Sequence, residues 1–142
     1  MKRPSHVLQL LMLSTFVLLA IGIGNAQYGQ ILKVKIPFDF NVGKQNFPAG
    51  DYTLKQSTIQ HTMLLRDDRG QVLISIGTNS VASNQPPEAT KLVFNGYSGG
   101  RYFLAQIWEQ ENNQGEQLVM SPVEIEVARH PPGLTAVRYV TH

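Results

Sequence analysis

The sequence of 142 residues contains no cysteine. Disulfide bonds, thiolate chemistry and a lipid-modified N-terminal cysteine are therefore excluded. A chain of this length can bury a sizeable core in one domain, so it can fold without covalent cross-links.

The chain also has no excess of charge once its N-terminal segment is left out of the count. It carries 12 Lys and Arg residues against 10 Asp and Glu residues, but Lys2 and Arg3 lie in a segment that we expect to be removed. The rest of the chain then has ten residues of each sign. Because a neutral chain exerts no long-range attraction on polyanions, we expect neither nucleic acid nor anionic lipid as a partner.

Local motifs for metal or cofactor binding are missing too. The sequence has no HxH or HExxH motif, no Ser-x-x-Lys and no glycine-rich phosphate loop followed by a helix. We therefore expect no metal and no cofactor, and the sequence favours a protein that is not an enzyme. An unfamiliar catalytic constellation stays open, with His61, Asp67, Asp68 and Arg101 as its candidates.

The N-terminal segment has the pattern of a secretory signal peptide. Lys2 and Arg3 precede an apolar run over residues 7–24, and small residues occupy the positions before a cut after Ala26. We predict a cleaved signal peptide over residues 1–26 and a periplasmic or extracellular mature chain, with no membrane span after cleavage. An uncleaved anchor is the alternative, because the apolar run approaches the length that spans a bilayer.

Alternation of apolar and polar residues dominates the remaining chain. In VKIPFDFNV, residues 34–42, every second side chain is apolar, which predicts a strand with one buried face. Pro37 cannot donate a hydrogen bond to a neighbour, so this strand is expected at a sheet edge. The stretch FPAGDYTL, residues 47–54, follows as a tight turn into the next strand.

Similar short alternating runs continue to the end of the chain. Asp-Asp-Arg-Gly at residues 67–70 and Ser-Gly-Gly at residues 98–100 predict hairpin turns, and alternation over residues 123–127 predicts a strand. Residues 27–142 are therefore predicted to form one all-β domain, an antiparallel β-sandwich or small β-barrel of about seven to nine strands. The acidic pairs Glu109/Glu111 and Glu124/Glu126 are interpreted as solvated strand faces.

Three stretches, VKIPFDF, FPAGDYTL and LVFNGYSGGRYFLAQIW, together resemble a family of small exported bacterial β-proteins of unknown function. The resemblance covers most of residues 33–110. It implies export and a β fold, and it carries no catalytic or binding residue over to this chain. The family's C-terminal stretch is polar and helix-prone, whereas VEIEVARH alternates here.

An aromatic cluster is the best candidate for ligand recognition. Tyr97, Tyr102 and Trp108 fall within one predicted hairpin, and on a regular strand Tyr102 and Trp108 share a face. Rings with a polar tip can stack on a ligand or pack at a partner surface. The competing interpretation makes Trp108 the core tryptophan of the sandwich.

These observations favour an exported, non-catalytic domain that binds or scaffolds an envelope ligand or protein. The alternative is a small-molecule carrier with a ligand cavity inside a β-barrel. Lys, Arg, Gln and Asn on the outer strand faces disfavour an outer-membrane barrel. A monomer or a weak dimer is expected, since the predicted edge strand is protected by Pro37 and its lysines.

Overall fold

The computed structural model describes residues 31–141, so the predicted signal peptide lies outside the described residues. Ten strands and one helix follow one another in this part of the chain. They are β1 (Ile31–Ile36), β2 (Phe40–Val42), β3 (Gln45–Phe47), β4 (Gly50–Gln56), β5 (Thr62–Arg66), β6 (Val72–Ala82), β7 (Lys91–Tyr97), β8 (Arg101–Trp108), β9 (Gln114–Leu118), α1 (Pro122–Arg129) and β10 (Leu134–Thr141).

The strands form one open sheet whose neighbours run in the order β1-β4-β5-β6-β9-β8-β2-β3. β7 pairs with β8, and β10 pairs with β7. The all-β, sandwich-like fold predicted from the sequence is confirmed, with ten strands rather than seven to nine. The purely antiparallel arrangement is wrong at one place, because β2 runs parallel to β8 where Asn41 lies opposite Phe103.

The break between β1 and β2 explains this parallel contact. The sequence predicted one strand over residues 34–42, whereas β1 ends at Ile36 and β2 begins at Phe40. Pro37 has no N–H group for a continuous ladder, and the Ala49 N–H donates to Asp39 Oδ1 at 2.9 Å. The chain is thereby redirected, so β1 pairs with β4 at the sheet edge while β2 lies beside β8.

The stretch FPAGDYTL forms the corner between β3 and β4, as the sequence predicted. β3 ends at Phe47, and β4 begins at Gly50. The Tyr52 hydroxyl donates to the Pro48 carbonyl at 2.6 Å, and its ring packs edge-on against Phe40 at 5.2 Å between centroids. The corner is therefore held by a buried aromatic contact and a hydrogen bond across the turn.

Strand β6 belongs to both halves of the sheet, of which one contains β1, β4 and β5 and the other contains β2, β3 and β7 to β10. Its first part pairs with β5 as far as Gly77, and its second part pairs with β9 from Thr78 onward. Near its start, Leu73 is an extra residue between the pairs that β6 makes with β5, and it packs against the core. This bulge turns Val72 outward to 45% exposure, whereas unbroken alternation with the buried Ile76 would place it on the core face.

Large apolar side chains fill the space between the two halves of the sheet. The bulkiest residues with less than 2% exposure are Phe40, Phe94, Ile36, Leu54, Leu65, Leu92 and Val42. Burial of each such side chain contributes about 1.5 to 3 kcal/mol to folding. The centre of the fold is therefore a packed hydrophobic core to which most strands contribute.

The strand predicted over residues 123–127 is a helix, α1. The Ser121 hydroxyl caps it by accepting a hydrogen bond from the Glu124 N–H at 3.1 Å, and Pro122 occupies its first turn. A serine cap followed by proline and a glutamate is a strong helix-start signal, because it satisfies amide groups that lack partners within the helix. This local signal prevails over the two-residue alternation.

Candidate functional site

Strand β8 carries two of the three aromatic candidates, but it is not a regular strand. Gln106 lies opposite Val93 and Leu104 lies opposite Phe94, so Ala105 is an extra residue in the ladder. Beyond this bulge the faces of the strand are exchanged. The expectation that Tyr102 and Trp108 share a face is therefore wrong, and they lie on opposite sides of the sheet.

Trp108 is packed against the neighbouring strand. It lies opposite Gly115 of β9 and is only 7% exposed. A Cβ atom at Gly115 would come within 2.7 Å of the indole ring, so the glycine makes room for the tryptophan. The indole Nε1 donates to Gln106 Oε1 at 2.9 Å. Both the ring and its polar tip are thus used within the fold.

Tyr97 lies beneath helix α1 and is 4% exposed. Its ring packs against Phe103 at 5.7 Å, and Val127 of the helix completes this small cluster. The Tyr97 hydroxyl donates to Glu124 Oε1 at 3.0 Å, and Asn95 Nδ2 donates to the same oxygen at 3.1 Å. These bonds fasten the helix to the outer face of β7.

The hydrogen bonds around Glu124 were not predicted from the sequence, where Glu124 and Glu126 were interpreted as a solvated strand face. Glu124 is 4% exposed, whereas Glu126 is 65% exposed, so the two do not form one solvated face. In a helix, residues two apart point in different directions. Burial, followed by the charge and hydrogen bond of Glu124, raises the pKa of Tyr97 to about 12. The sequence signal for this arrangement was the helix cap.

Tyr102 is the aromatic candidate with the most accessible ring. It is partly buried against the main core. The Arg138 guanidinium from β10 lies 4.4 Å from the Tyr102 ring centre and 5.1 Å from that of Phe38. The cation therefore covers two rings and joins β10 to β8 and to the connection between β1 and β2. The structure does not bring Tyr97, Tyr102 and Trp108 together on one surface.

The possible catalytic residues are also dispersed. Asp67 builds the hairpin turn, since its Oδ1 accepts hydrogen bonds from the N–H groups of Arg69 at 3.0 Å and Gln71 at 2.8 Å. The Arg101 Nε donates to the Ser98 carbonyl at 3.2 Å. His61 is exposed and has a φ angle of 54°. Within residues 31–141, no three Asp, Glu or His side chains form a group that could hold a metal ion.

One short stretch matches a catalytic pattern by its letters. Residues 96–100 read Gly-Tyr-Ser-Gly-Gly, which satisfies the G-x-S-x-G pattern of a nucleophile elbow. Such an elbow needs a strand, a sharp turn and then a helix. Here Ser98 lies in the turn of a hairpin, because β8 follows directly at Arg101. The local structure is therefore that of a β-turn, as predicted for Ser-Gly-Gly.

Strand β10 presents three accessible apolar side chains at an edge of the sheet. Leu134, Val137 and Tyr139 are 54, 42 and 62% exposed, and we call these three residues the β10 surface. Val140 is buried in the core, and successive side chains of a strand point to opposite faces, so Val137 and Tyr139 point away from the core. Lys91 lies 5.5 Å from the Tyr139 ring centre. Within the described residues, β10 pairs with β7 alone.

Comparison with protein-family models, with curated proteins and with solved structures gives no match for this chain. Among residues 31–141, no helix has the length and apolar character needed to cross a bilayer. The fold and these surfaces define an all-β, sandwich-like protein, and its function has to be inferred from the surfaces themselves.

Proposed function

We propose that the protein is an exported, non-catalytic β-domain that binds or scaffolds a component of the cell envelope. The observation that carries this proposal is the β10 surface, where two aliphatic side chains and a tyrosine are accessible on an edge strand. The signal-peptide pattern over residues 1–26 and the resemblance of residues 33–110 to exported bacterial proteins support the periplasmic or extracellular location.

The chemistry of the β10 surface suits a protein partner. Exposed aromatic and aliphatic side chains are enriched at the centres of protein interfaces, where they lose contact with water on binding. The unpaired side of β10 also offers backbone N–H and C=O groups to an incoming strand. Both features are available on the same strand, so a partner could combine side-chain burial with strand addition.

A cross-linking experiment on envelope extracts tests this surface. The purified protein is compared with the double variant Val137→Ser, Tyr139→Ala and with the control Ile59→Ser. Ile59 is 68% exposed and lies before β5, away from β10, so the control removes apolar surface elsewhere. We expect one partner to be captured by the wild type and the control and to be lost with the double variant. Equal capture by all three proteins would refute the assignment.

The location is tested separately by mass spectrometry of protein taken from the soluble envelope fraction. An N-terminus at Gln27 is the expected result, whereas an intact N-terminus in the membrane fraction would favour an anchor. The same native spectrum reports whether the protein is a monomer or a weak dimer.

The carrier hypothesis is the second candidate, and one observation favours it. A cavity of about 200 Å³ lies at one end of the fold, although the centre is packed with large side chains. A carrier would therefore hold its ligand at this end rather than deep between the strands. A reproducible small-molecule adduct in the native spectrum is the result that this second candidate requires.

A further inference from the structure

Two strands flank β10, and both belong to the surface that a partner of β10 would meet. On one side, β10 is paired with β7 over residues 134–141. On the other side, the end of β1 lies close to β10, because the ring of Phe38, two residues beyond β1, is 5.1 Å from the Arg138 guanidinium. Among the described residues no ladder joins β1 to β10, so this side of β10 keeps backbone groups without a strand partner.

Three lysines on these flanking strands point to the outer face of the sheet. Ile36 of β1 is buried in the core, and side chains alternate along a strand, so Lys33 and Lys35 point outward. Lys91 of β7 lies with its ammonium group against the exposed ring of Tyr139. We call Lys33, Lys35 and Lys91 the basic rim, and it borders the β10 surface on both sides.

The strands that form this surface carry positive charge alone. β1, β7 and β10 contain four Lys and Arg residues and no Asp or Glu, and residues 1–30 contain no Asp or Glu either. Asp51 of β4 lies opposite Lys35 in the ladder, but within residues 31–141 the only contact of ion-pair distance joins His130 to Glu126 at 3.7 Å. Carboxylates of a partner would therefore gain electrostatic energy at the basic rim without breaking an ion pair that already exists.

We propose that the partner of the β10 surface is an extended, acidic segment of a protein, with apolar side chains that cover Val137 and Tyr139 and carboxylates that contact the basic rim. The acidic character of the partner rests on the proposed function of the β10 surface. An extended segment suits this place because its backbone can pair with β10 while its alternate side chains meet the surface. An anionic glycan would leave the aliphatic side chains uncovered, and a bilayer would offer no partners to the backbone groups of β10.

Binding of three synthetic peptides to the purified protein tests this proposal. Each peptide has eight residues, the length of β10. In the first, valine alternates with glutamate; in the second, lysine replaces each glutamate; in the third, serine replaces each valine. Fluorescence anisotropy should show that the valine–glutamate peptide binds at least about tenfold more tightly than the other two. Equal binding of the two valine peptides, equal binding of the two glutamate peptides, or no binding of the valine–glutamate peptide would overturn the proposal.

Two double variants with the same change of charge separate the basic rim from general electrostatics. Lys35→Gln, Lys91→Gln should weaken the valine–glutamate peptide about fivefold or more, because it removes a cation from each side of β10. The control is Lys44→Gln, Arg69→Gln, which removes two cations from exposed turns outside β1, β7 and β10 and should bind like the wild type. Equal affinity of the three proteins would contradict a role for the basic rim.

The wild type provides a readout that needs no variant, because the affinity for the valine–glutamate peptide should fall about fivefold between about 0.05 and 0.5 M salt. An affinity that is independent of salt would refute the acidic partner. A failure of the β10 surface itself is distinguishable with Val137→Ser, Tyr139→Ala. If this variant loses both valine peptides and the wild type binds them equally, the β10 surface stands and the acidic partner is refuted. If it binds the valine–glutamate peptide like the wild type, the peptide binds elsewhere and both proposals fail. Tighter binding to phosphatidylglycerol vesicles than to the peptide would identify a lipid surface and also refute the proposal.

Discussion

Replacement of Tyr97 by phenylalanine is the sharpest test of the network beneath α1. The substitution keeps the ring that packs against Phe103 and removes only the hydroxyl group that donates to Glu124 at 3.0 Å. Glu124 would then keep Asn95 as its side-chain donor, while its carboxylate stays buried. A hydrogen bond to a charged group contributes about 1.5 to 3 kcal/mol, so we expect the free energy of unfolding to fall by that amount.

Urea unfolding followed by tryptophan fluorescence measures this loss, since Trp108 is the only tryptophan of the chain. Tyr139→Phe is the matched control, because it removes a hydroxyl group from a residue that is 62% exposed. The control should unfold like the wild type. A loss below about 0.5 kcal/mol in Tyr97→Phe would show that the bond to Glu124 does not fasten the helix.

The same variant carries a prediction for alkaline pH. Burial and Glu124 raise the pKa of Tyr97 to about 12 in the folded protein, against 10.0 for an unperturbed tyrosine. The folded state therefore holds the phenolic proton more tightly than the unfolded state. The resulting stability is fully present below about pH 10 and is lost as the pH rises toward 12.

Tyr52 contributes to the same alkaline range, since burial and the nearby Asp39 raise its pKa. The pH dependence that belongs to Tyr97 is thus the difference between the wild type and Tyr97→Phe. We expect the wild type to lose stability more steeply between about pH 10 and 12 than the variant. Parallel curves over this range would refute the assigned environment of the hydroxyl group.

Three further substitutions test other contacts by urea unfolding. Gly115→Ala should lower the unfolding free energy by about 1 to 3 kcal/mol because its Cβ would meet the Trp108 ring at 2.7 Å; Gly77→Ala, with nothing within 4 Å of its Cβ, is the control and should change little. Arg138→Ala should cost about 1 kcal/mol through the loss of its two ring contacts, and an unchanged midpoint would show that this stack contributes nothing. Ser121→Ala should cost about 1 kcal/mol by removing the cap of α1; unchanged stability would argue against the cap.

The sequence predicted features that depend on local chemistry and on the two-residue alternation. The FPAGDYTL corner and the Asp67 turn are local, and the structure confirms both. The buried face of residues 34–42 is also largely correct, because Val34 and Phe40 are both in the core although the strand is broken between them. Alternation survives this break because Ile36 and Phe40, the buried residues on its two sides, are four positions apart, which is an even offset.

The predictions that were wrong concern places where a strand contains one extra residue or where one segment carries the patterns of both a helix and a strand. The bulge at Ala105 exchanges the faces of β8, and nothing in RYFLAQIW marks this alanine as the extra residue. Residues 121–127 carry both a helix cap and a strand-like alternation, and the cap prevails. The cavity at one end of the fold is lined by Glu109, which follows β8, and by Glu116 of β9, and no local pattern in the sequence marks these two side chains as neighbours.

Strand β6 has a consequence for how the protein opens. One continuous backbone of eleven residues is shared by β5 on one side of Gly77 and by β9 on the other. If one half of the sheet separates from β6, the rest of this strand stays hydrogen-bonded to the other half. We therefore expect the two halves to open together and to exchange their amide hydrogens as one cooperative unit. Amides on both sides of Gly77 would then exchange with a common, slow rate that approaches global unfolding, while those of the edge strands β1 and β10 exchange earlier.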